Sequence, residues 1–394
     1  MIKLISDKKE LLKEYEDMKI YSMIKGLDGA YSSIYDKSIK EIHDFVLKLY
    51  SGKKQIFIFA IDSISFKYFS EELIDILPEK SQKSVLTSVF PSTTSCAWIS
   101  IMSGLSTSQH GIVGVSFFHE LYNKSFIWLN DEICSTDLKK IPIPSRDGLF
   151  RTDFDNIFQK VSGKHTYYGR HGMGKKGGYT IIHEKLTKGT KHSLPNISAE
   201  NYLDLKMIFE GFKKYISDES ILDKSGLHWL YLDLDFYIHK YGYTKELKED
   251  FFIPFFKLLN SIKNDDNEII FCSDHGQIQQ GKVDENIFER SKGNNDLKIM
   301  TSGAGRSLFF YPKDGKEKRV LKWVKELVKD TGWVFDKNKW IELGLIDANE
   351  KDNERIGEII AIAKGDGFPS TGPSSLFEHG GISEEEMFVP FVLF

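Results

Sequence analysis

Residues 90–115 read FPSTTSCAWISIMSGLSTSQHGIVGV, in which a run of hydroxyl side chains stands directly before an apolar helical pattern. A strand that turns sharply into a helix would place Thr94 in the first helical turn. Unpaired backbone N–H groups and the positive end of the helix dipole favour an anion there, so this position can bind phosphate and stabilise an ionised threonine. Alternatively, Ser92, Thr93, Thr94 and Ser95 merely cap the helix, as such residues commonly do.

Carboxylates and histidines that follow apolar runs are the next candidates for chemistry. Asp62 ends the run QIFIFAI at residues 55–61, which is typical of a strand buried on both faces of a parallel sheet. Open α/β sheets bind their ligands at the carboxyl ends of such strands. Asp62 is therefore either a metal ligand or the N-cap of a following helix.

A second apolar run, HWLYLDLD at residues 228–235, is followed by FYIH. Asp235 and His239 are four residues apart, so they share one face if a helical turn begins after the strand. On one face they can bind the same metal ion.

A third run, EIIFC at residues 268–272, leads into Asp274 and His275, and the glycine that follows lets the backbone turn away. Near the end of the chain, His379 precedes an apolar run at residues 387–394. That run predicts a final strand that returns to the sheet, which would bring His379 back to the core.

Composition limits the class of protein. The 394 residues are 41% apolar, enough for one large domain with an insertion or for two domains, and the net charge of −4 argues against a general nucleic-acid coat. The three cysteines, Cys96, Cys134 and Cys272, are too few and too scattered for a disulfide framework, so we expect a reducing, cytoplasmic location. The charged start is unlike a signal peptide, and no apolar run is long enough to span a membrane.

The candidate residues, in this order, resemble the alkaline phosphatase superfamily and, within it, the nucleotide pyrophosphatase/phosphodiesterase branch. The matching pieces are the aspartate after the first strand, FPSTT…SGLSTSQHGIVG, DFYIH, SDHG and EHGGISEEEMFVP. The resemblance implies an α/β fold with a mostly parallel central sheet flanked by helices. We expect a helical segment at residues 1–53 and a catalytic domain at 54–394, with cap insertions at about 120–220 and 280–372.

When the roles of the family's residues are transferred to the matching positions of this chain, the resemblance implies a centre for two divalent metal ions. One ion would be held by Asp235, His239 and His379, and the other by Asp62, Asp274, His275 and Thr94. Two ions about 4 Å apart can clamp a phosphoryl group, and these ligand types suit zinc best, with manganese as the alternative. By the same resemblance, Thr94 would attack phosphorus and form a covalent phosphoryl or nucleotidyl enzyme that water resolves.

One departure from the branch concerns the oxygen-binding donors. The HGI-type motif of the branch typically ends in an asparagine that holds a non-bridging phosphoryl oxygen, whereas this chain has Val115 after HGIVG. Such a donor contributes a few kcal/mol in a transition state. The backbone N–H of Ser95, or Arg170 or Arg306 from the insertions, are the candidate substitutes.

The charge around the nucleophile predicts the substrate class. Residues 90–115 contain no Arg or Lys, and Lys67, the basic residue nearest Asp62 in sequence, is expected on the outer face of a helix. A diester carries less charge than a monoester, so a site without a dedicated cation should prefer the diester.

Three functions compete for this sequence. The first, which we favour, is a metal-dependent phosphodiesterase or nucleotide pyrophosphatase acting on a small phosphate-ester or nucleotide substrate. The second is a phosphomonoesterase, phosphonate hydrolase or phosphomutase on the same scaffold. The third is a non-catalytic binding protein.

Overall fold

The computed structural model describes residues 2–52, 54–127, 132–134, 140–142, 148–169, 184–193, 199–217, 226–281, 291, 294–346, 354–368 and 375–394. Among these residues the strands are β1 (Gln55–Ile61), β2 (Gln82–Thr87), β3 (Ser116–His119), β4 (Lys124–Ile127), β5 (Glu132–Cys134), β6 (Lys140–Pro142), β7 (His165–Tyr168), β8 (Thr190–Ser193), β9 (Gly226–Leu232), β10 (Asn267–Ser273), β11 (Ile278–Gln279), β12 (Ser302–Ala304), β13 (Ser307–Phe310), β14 (Gly332–Asp336), β15 (Ile359–Ala363), β16 (Phe377–Glu378) and β17 (Phe388–Leu393).

The helices include α1 (Lys8–Ser22), α2 (Glu41–Leu49), α3 (Phe66–Tyr68), α4 (Thr94–Ser103), α5 (Thr107–His110), α6 (Ile157–Lys160), α7 (Tyr202–Ile216), α8 (Asp235–Tyr241), α9 (Ile253–Ile262), α10 (Glu317–Val328), α11 (Lys337–Glu342) and α12 (Glu384–Met387). There are also short π-helical turns at Phe69–Leu73 and Leu247–Phe252, and 3₁₀ turns at Ile74–Ile76 and Lys329–Thr331. Within the part of the chain that the structure describes, no helix is both long enough and apolar enough to cross a bilayer.

The central sheet has seven strands in the order β2-β17-β10-β1-β9-β7-β8. All of its strands run parallel except β17, which is antiparallel to both of its neighbours. The predicted α/β fold with a mostly parallel central sheet is therefore confirmed. The side chains of β1 from Ile56 to Ile61 are buried on both faces, which accounts for the uninterrupted apolar run in the sequence.

The register of the three middle strands aligns their carboxyl ends. Ile61 on β1 lies opposite Leu232 on β9 and Ser273 on β10. The residues that follow, which include Asp62 and Asp274, therefore leave the sheet at one edge. This edge is where an open parallel sheet places its ligands.

A second sheet of eight strands has the order β14-β15-β13-β12-β3-β4-β5-β6. Its pairs are antiparallel, and α10 covers one face with buried Val320 and Val324. Residues 120–220, the first of the two predicted cap insertions, supply β4, β5 and β6 to this sheet and β7 and β8 to the central sheet. These two strands are four residues long, too short to give a recognisable period in the sequence.

The helices near the start of the chain pack against the central sheet. Leu11, Tyr15 and Met18 of α1 are buried in the main core, and the Tyr15 ring lies 5.3 Å from that of Phe388 on β17. Helix α1 thereby supports β17, the strand that follows His379 in the chain.

Candidate active site

The sequence-predicted residues meet at the carboxyl edge of the central sheet. Asp62 follows β1, Asp274 and His275 follow β10, and Asp235 opens α8 directly after β9. Residue His239 lies one helical turn after Asp235. Two further residues come from other parts of the chain, since Thr94 opens α4 after β2, and His379 stands between β16 and α12.

The first cluster joins Asp235 to two histidines. Nε2 of His239 lies 3.2 Å from Asp235 Oδ2, and Nε2 of His379 lies 3.6 Å from Asp235 Oδ1. The ligand atoms of these three residues all lie within 4.8 Å of one another, which is close enough for one metal ion.

The second cluster surrounds the His275 ring. Its Nε2 lies 3.5 Å from Asp62 Oδ1, 3.3 Å from Asp274 Oδ2 and 3.1 Å from Thr94 Oγ1. The hydroxyl of Thr94 is also 3.5 Å from Asp62 Oδ2. Asp235 lies between the two clusters, because its carboxylate, with Asp62 and His275, forms another group within 4.8 Å.

The histidine rings are oriented as metal-binding histidines are. The Nδ1 atoms of His239, His275 and His379 lie 2.7, 3.1 and 3.0 Å from the backbone carbonyl oxygens of Phe377, Gly276 and Ser92, respectively. A neutral ring in each place donates through Nδ1 and turns the Nε2 lone pair toward the carboxylates. All three rings therefore present the same nitrogen to the space between the clusters.

A buried carboxylate oxygen gives the second indication that a cation fits. Oδ2 of Asp274 is fully buried and has no hydrogen-bond donor among the residues that the structure describes. A buried carboxylate oxygen without a partner is costly unless a cation compensates it. Together with the histidine orientations, this suits a centre for divalent cations with nitrogen and oxygen ligands.

The electrostatics of the two clusters differ. Burial raises the pKa values of Asp62 and Asp274 well above the usual range, and it lowers the pKa of His275 well below it. Burial alone would also raise the pKa of Asp235 and lower that of His239. Their mutual attraction, helped by neighbouring charges, instead lowers the pKa of Asp235 and raises that of His239 to about 10. A cation that binds the first cluster would therefore displace the His239 proton.

The hydroxyl groups before α4 do not cap that helix. Its N-cap residue, Thr93, makes no side-chain capping hydrogen bond, and the Ser92 hydroxyl donates to the Gly381 carbonyl oxygen at 2.8 Å. The Thr94 hydroxyl lies beside His275, as described above. The capping interpretation is therefore wrong for this segment, because the Thr94 hydroxyl faces His275 and the Asp62 carboxylate instead.

Two of the basic residues that the sequence suggests, Arg306 and Lys67, pair with carboxylates. Arg306 is fully buried, and it donates through Nε to Glu386 Oε1 at 3.0 Å and through Nη2 to the Gly365 carbonyl oxygen at 2.6 Å. These contacts do not support its suggested role as an oxygen-binding donor. Lys67 pairs with Glu385 at 2.9 Å. Arg170 and the rest of the glycine-rich basic stretch up to residue 178 lie outside the described residues.

Three polar residues of the site gave no usable signal in the sequence. Tyr231 donates its hydroxyl hydrogen to Asp62 Oδ2, while Ser63 and Gln277 both contact Asp235. Tyr231 lies within an apolar strand run, where its hydroxyl is inconspicuous. Ser63 and Gln277 are close in sequence to candidate ligands, and that adjacency is the only clue the sequence holds.

Comparison with protein families gives one clear match. The family model described as type I phosphodiesterase / nucleotide pyrophosphatase matches residues 56–380, which is most of the chain and includes every candidate site residue. Among curated proteins, none matches this chain.

Solved structures with the same fold include two kinds of protein. Murine ectonucleotide pyrophosphatase / phosphodiesterase 5 is 17% identical, with 86% of this chain and 87% of that chain covered and a TM-score of 0.56. An inactive threonine-to-alanine variant of that murine protein was solved in complex with AMP and is 16% identical, with the same coverage and TM-score. Phosphonoacetate hydrolase from Sinorhizobium meliloti 1021, solved with phosphonoacetate, is 16% identical over 87% of this chain and 90% of that chain, with a TM-score of 0.59.

Proposed function

Because this chain belongs to the type I phosphodiesterase / nucleotide pyrophosphatase family, we propose that it is a metal-dependent phosphodiesterase or nucleotide pyrophosphatase with Thr94 as its nucleophile. The family makes it a hydrolase that acts on phosphoester bonds. The observation that carries the finer proposal is the Thr94 hydroxyl, 3.1 Å from His275 Nε2 among clustered carboxylates. The murine relative that a threonine-to-alanine change leaves inactive supports the same role.

Two divalent cations, zinc first and manganese as the alternative, would occupy the two clusters. One would be held by Asp235, His239 and His379, and the other by Asp62, Asp274, His275 and the Thr94 oxygen. When bound, the ions would neutralise phosphoryl charge and lower the pKa of the nucleophile.

The chain itself supplies the nucleophile and a place for the phosphoryl oxygens. Oγ1 of Thr94 gives up its proton and forms a bond to phosphorus, while the bond to the leaving-group oxygen breaks and the leaving group takes up a proton. Ser95 lies in the first turn of α4, where backbone N–H groups have no partner within the helix and favour a bound phosphate. We assign Ser95 N–H the oxygen-binding role, because Val115 replaces the expected asparagine. Water then breaks the bond between phosphorus and Thr94 and restores the free hydroxyl.

The substrate would be a small phosphate diester or a nucleotide. Phosphonate hydrolysis is the second candidate, supported by the likeness to phosphonoacetate hydrolase. The cytoplasmic location stays a prediction, which the free buried thiols of Cys96 and Cys272 support.

A panel of substrates tests this assignment. We expect the metal-loaded protein to prefer bis-p-nitrophenyl phosphate or a nucleoside p-nitrophenyl ester over p-nitrophenyl phosphate by on the order of tenfold or more in kcat/KM, a difference of about 1.4 kcal/mol. The reason is that Lys67 and Arg306, the candidate cations among the described residues, are paired with Glu385 and Glu386 and are not free to neutralise the extra charge of a monoester.

The controls for this panel are phosphonoacetate as an added substrate and a strong chelator. A preference for the monoester would favour phosphomonoester hydrolysis over the proposed activity, and a preference for phosphonoacetate would favour phosphonate hydrolysis. Metal-loaded protein that turns over no member of the panel would instead favour a non-catalytic binding protein.

A further inference from the structure

Ser63, the residue after Asp62, contacts a carboxylate from the end of each of the three middle strands. Its backbone N–H donates to Asp274 Oδ1 at 3.1 Å. Its hydroxyl oxygen lies 2.5 Å from Asp235 Oδ1 and 3.1 Å from Asp62 Oδ1. The side chain is fully buried, so water does not compete for these contacts. One serine thus joins the carboxylates of both candidate metal clusters.

The backbone of Ser63 is strained in order to make these contacts. Its φ angle is +66°, in the left-handed region that glycine adopts freely and other residues rarely do. Neighbouring contacts hold the turn in place, since the Ser63 carbonyl accepts the Tyr243 hydroxyl at 2.9 Å and the Ile64 N–H donates to Ser273 Oγ at 2.8 Å. Strained residues of this kind persist where the surroundings determine them, often at functional sites.

Gln277 completes the arrangement from the other side of Asp235. It is 1% exposed, and its Nε2 donates to Asp235 Oδ1 at 2.6 Å and to the Ser63 hydroxyl oxygen at 3.1 Å. Its backbone N–H donates to the Tyr243 hydroxyl at 3.0 Å, the same hydroxyl that binds the Ser63 carbonyl. Ser63 and Gln277 are therefore fixed to each other as well as to Asp235.

The hydrogen bonds determine how the Asp235 carboxylate is oriented. Since the Ser63 hydroxyl accepts from Gln277, its single hydrogen is free to donate to Asp235 Oδ1, the shorter of its two carboxylate contacts. Oδ1 of Asp235 thus receives two donors, and Oδ2 is left to face His239 Nε2 at 3.2 Å. Without these donors, Oδ1 of Asp235 would lose both hydrogen bonds and the carboxylate could rotate.

We propose that Ser63 and Gln277 are positioning residues that hold Asp235 between the two clusters and so set the metal affinity of the whole centre. This inference rests on the proposed function, because it assumes that the clusters bind divalent cations. Partners that orient a metal ligand in this way commonly change metal affinity by about 10- to 100-fold when they are removed.

Two substitutions at one position separate the hydroxyl from the backbone strain. Ser63→Gly removes the hydroxyl and relieves the strain, whereas Ser63→Ala removes the hydroxyl and keeps the strain. Gln277→Met removes the amide at similar size. Ser261→Ala is the matched control, because it removes an exposed serine hydroxyl that bonds only to its own helix, at the Leu258 carbonyl.

The experiment measures zinc affinity by competition with a chelator, the visible absorption spectrum after cobalt loading, and the melting temperature of the metal-free protein. We expect Ser63→Gly, Ser63→Ala and Gln277→Met each to lose about 10- to 100-fold in zinc affinity and to alter the cobalt spectrum. Ser63→Gly should nevertheless melt at a higher temperature than Ser63→Ala, and Ser261→Ala should match the wild type.

Two results would overturn the proposal in distinguishable ways. If the wild type binds zinc and both Ser63→Gly and Gln277→Met bind it equally well with an unchanged cobalt spectrum, the positioning role is wrong and the metal centre stands. If the wild type binds neither metal, the metal centre and the positioning role both fail. If Ser63→Ala does not fold, the zinc affinities of Ser63→Gly and Gln277→Met still test the positioning role.

Discussion

Replacing Thr94 by alanine is expected to lower kcat/KM by at least about 10⁴-fold, as removal of a catalytic nucleophile commonly does. The fold should survive, because the hydroxyl faces His275 and Asp62 rather than a helix N–H, and Thr93 rather than Thr94 is the N-cap of α4. The free energy of unfolding should therefore change by no more than about 1 kcal/mol. Steady-state kinetics on the preferred substrate and denaturant unfolding measure the two effects.

Two variants serve as controls for this substitution. Thr94→Ser keeps a hydroxyl at the same place and should retain measurable turnover, while Thr93→Ala should lose less than about tenfold. In rapidly quenched wild-type protein, mass spectrometry should find the substrate fragment on the peptide that contains Thr94. Near-normal activity of Thr94→Ala together with an inactive Thr93→Ala would show that Thr93, and not Thr94, is the nucleophile.

Replacing Arg306 by methionine is expected to lower the free energy of unfolding by about 3–5 kcal/mol, the cost of leaving a buried charge without its partner. Arg306 and Glu386 both have fully buried side chains, and Arg306 Nε lies 3.0 Å from Glu386 Oε1. Glu386 Oε1 also accepts the Gly381 N–H at 2.7 Å, so the carboxylate cannot leave its place without breaking the turn.

The same substitution should also disturb the candidate active site. The backbone N–H of Arg306 donates to the His379 carbonyl at 3.0 Å, and the carboxylate of Glu386 binds the N–H groups of Gly381 and Ser383. The Arg306 pair thus holds the turn that carries His379. We therefore expect zinc affinity to fall together with stability.

Denaturant unfolding of the metal-free protein measures the stability effect, and a neighbouring ion pair provides the control. Lys67 Nζ lies 2.9 Å from Glu385 Oε1, a similar distance, but these two side chains are 47% and 26% exposed. Lys67→Met should therefore cost no more than about 1 kcal/mol. Equal, small losses in both variants would show that the buried pair does not hold the turn.

The candidate site could be predicted from the sequence largely because of one physical rule. Parallel strands that are buried on both faces give uninterrupted apolar runs, and their carboxyl ends meet at one edge. Asp62 and Asp274 end two such runs, and the strand register brings them level. The spacing of Asp235 and His239 needed only a helical turn after β9, which α8 provides.

Other features depend on contacts between distant parts of the chain and leave little trace in the sequence. Arg306 lies in a loop-like run, and only the fold shows that it is paired with Glu386, 80 residues away. Ser63 looks like an ordinary turn residue until its φ angle and its three carboxylate contacts are known. Strands β7 and β8 are too short to show a period, so their place in the central sheet could not be predicted.

Anomalous diffraction from crystals of the zinc-loaded protein would show whether this edge of the sheet is a two-metal centre built around Thr94. We expect two anomalous peaks. One should lie among Asp235, His239 and His379, and the other among Asp62, Asp274, His275 and the Thr94 oxygen. Zinc-loaded crystals with no peak at this edge, or with peaks only elsewhere on the protein, would show that these residues do not form a metal centre.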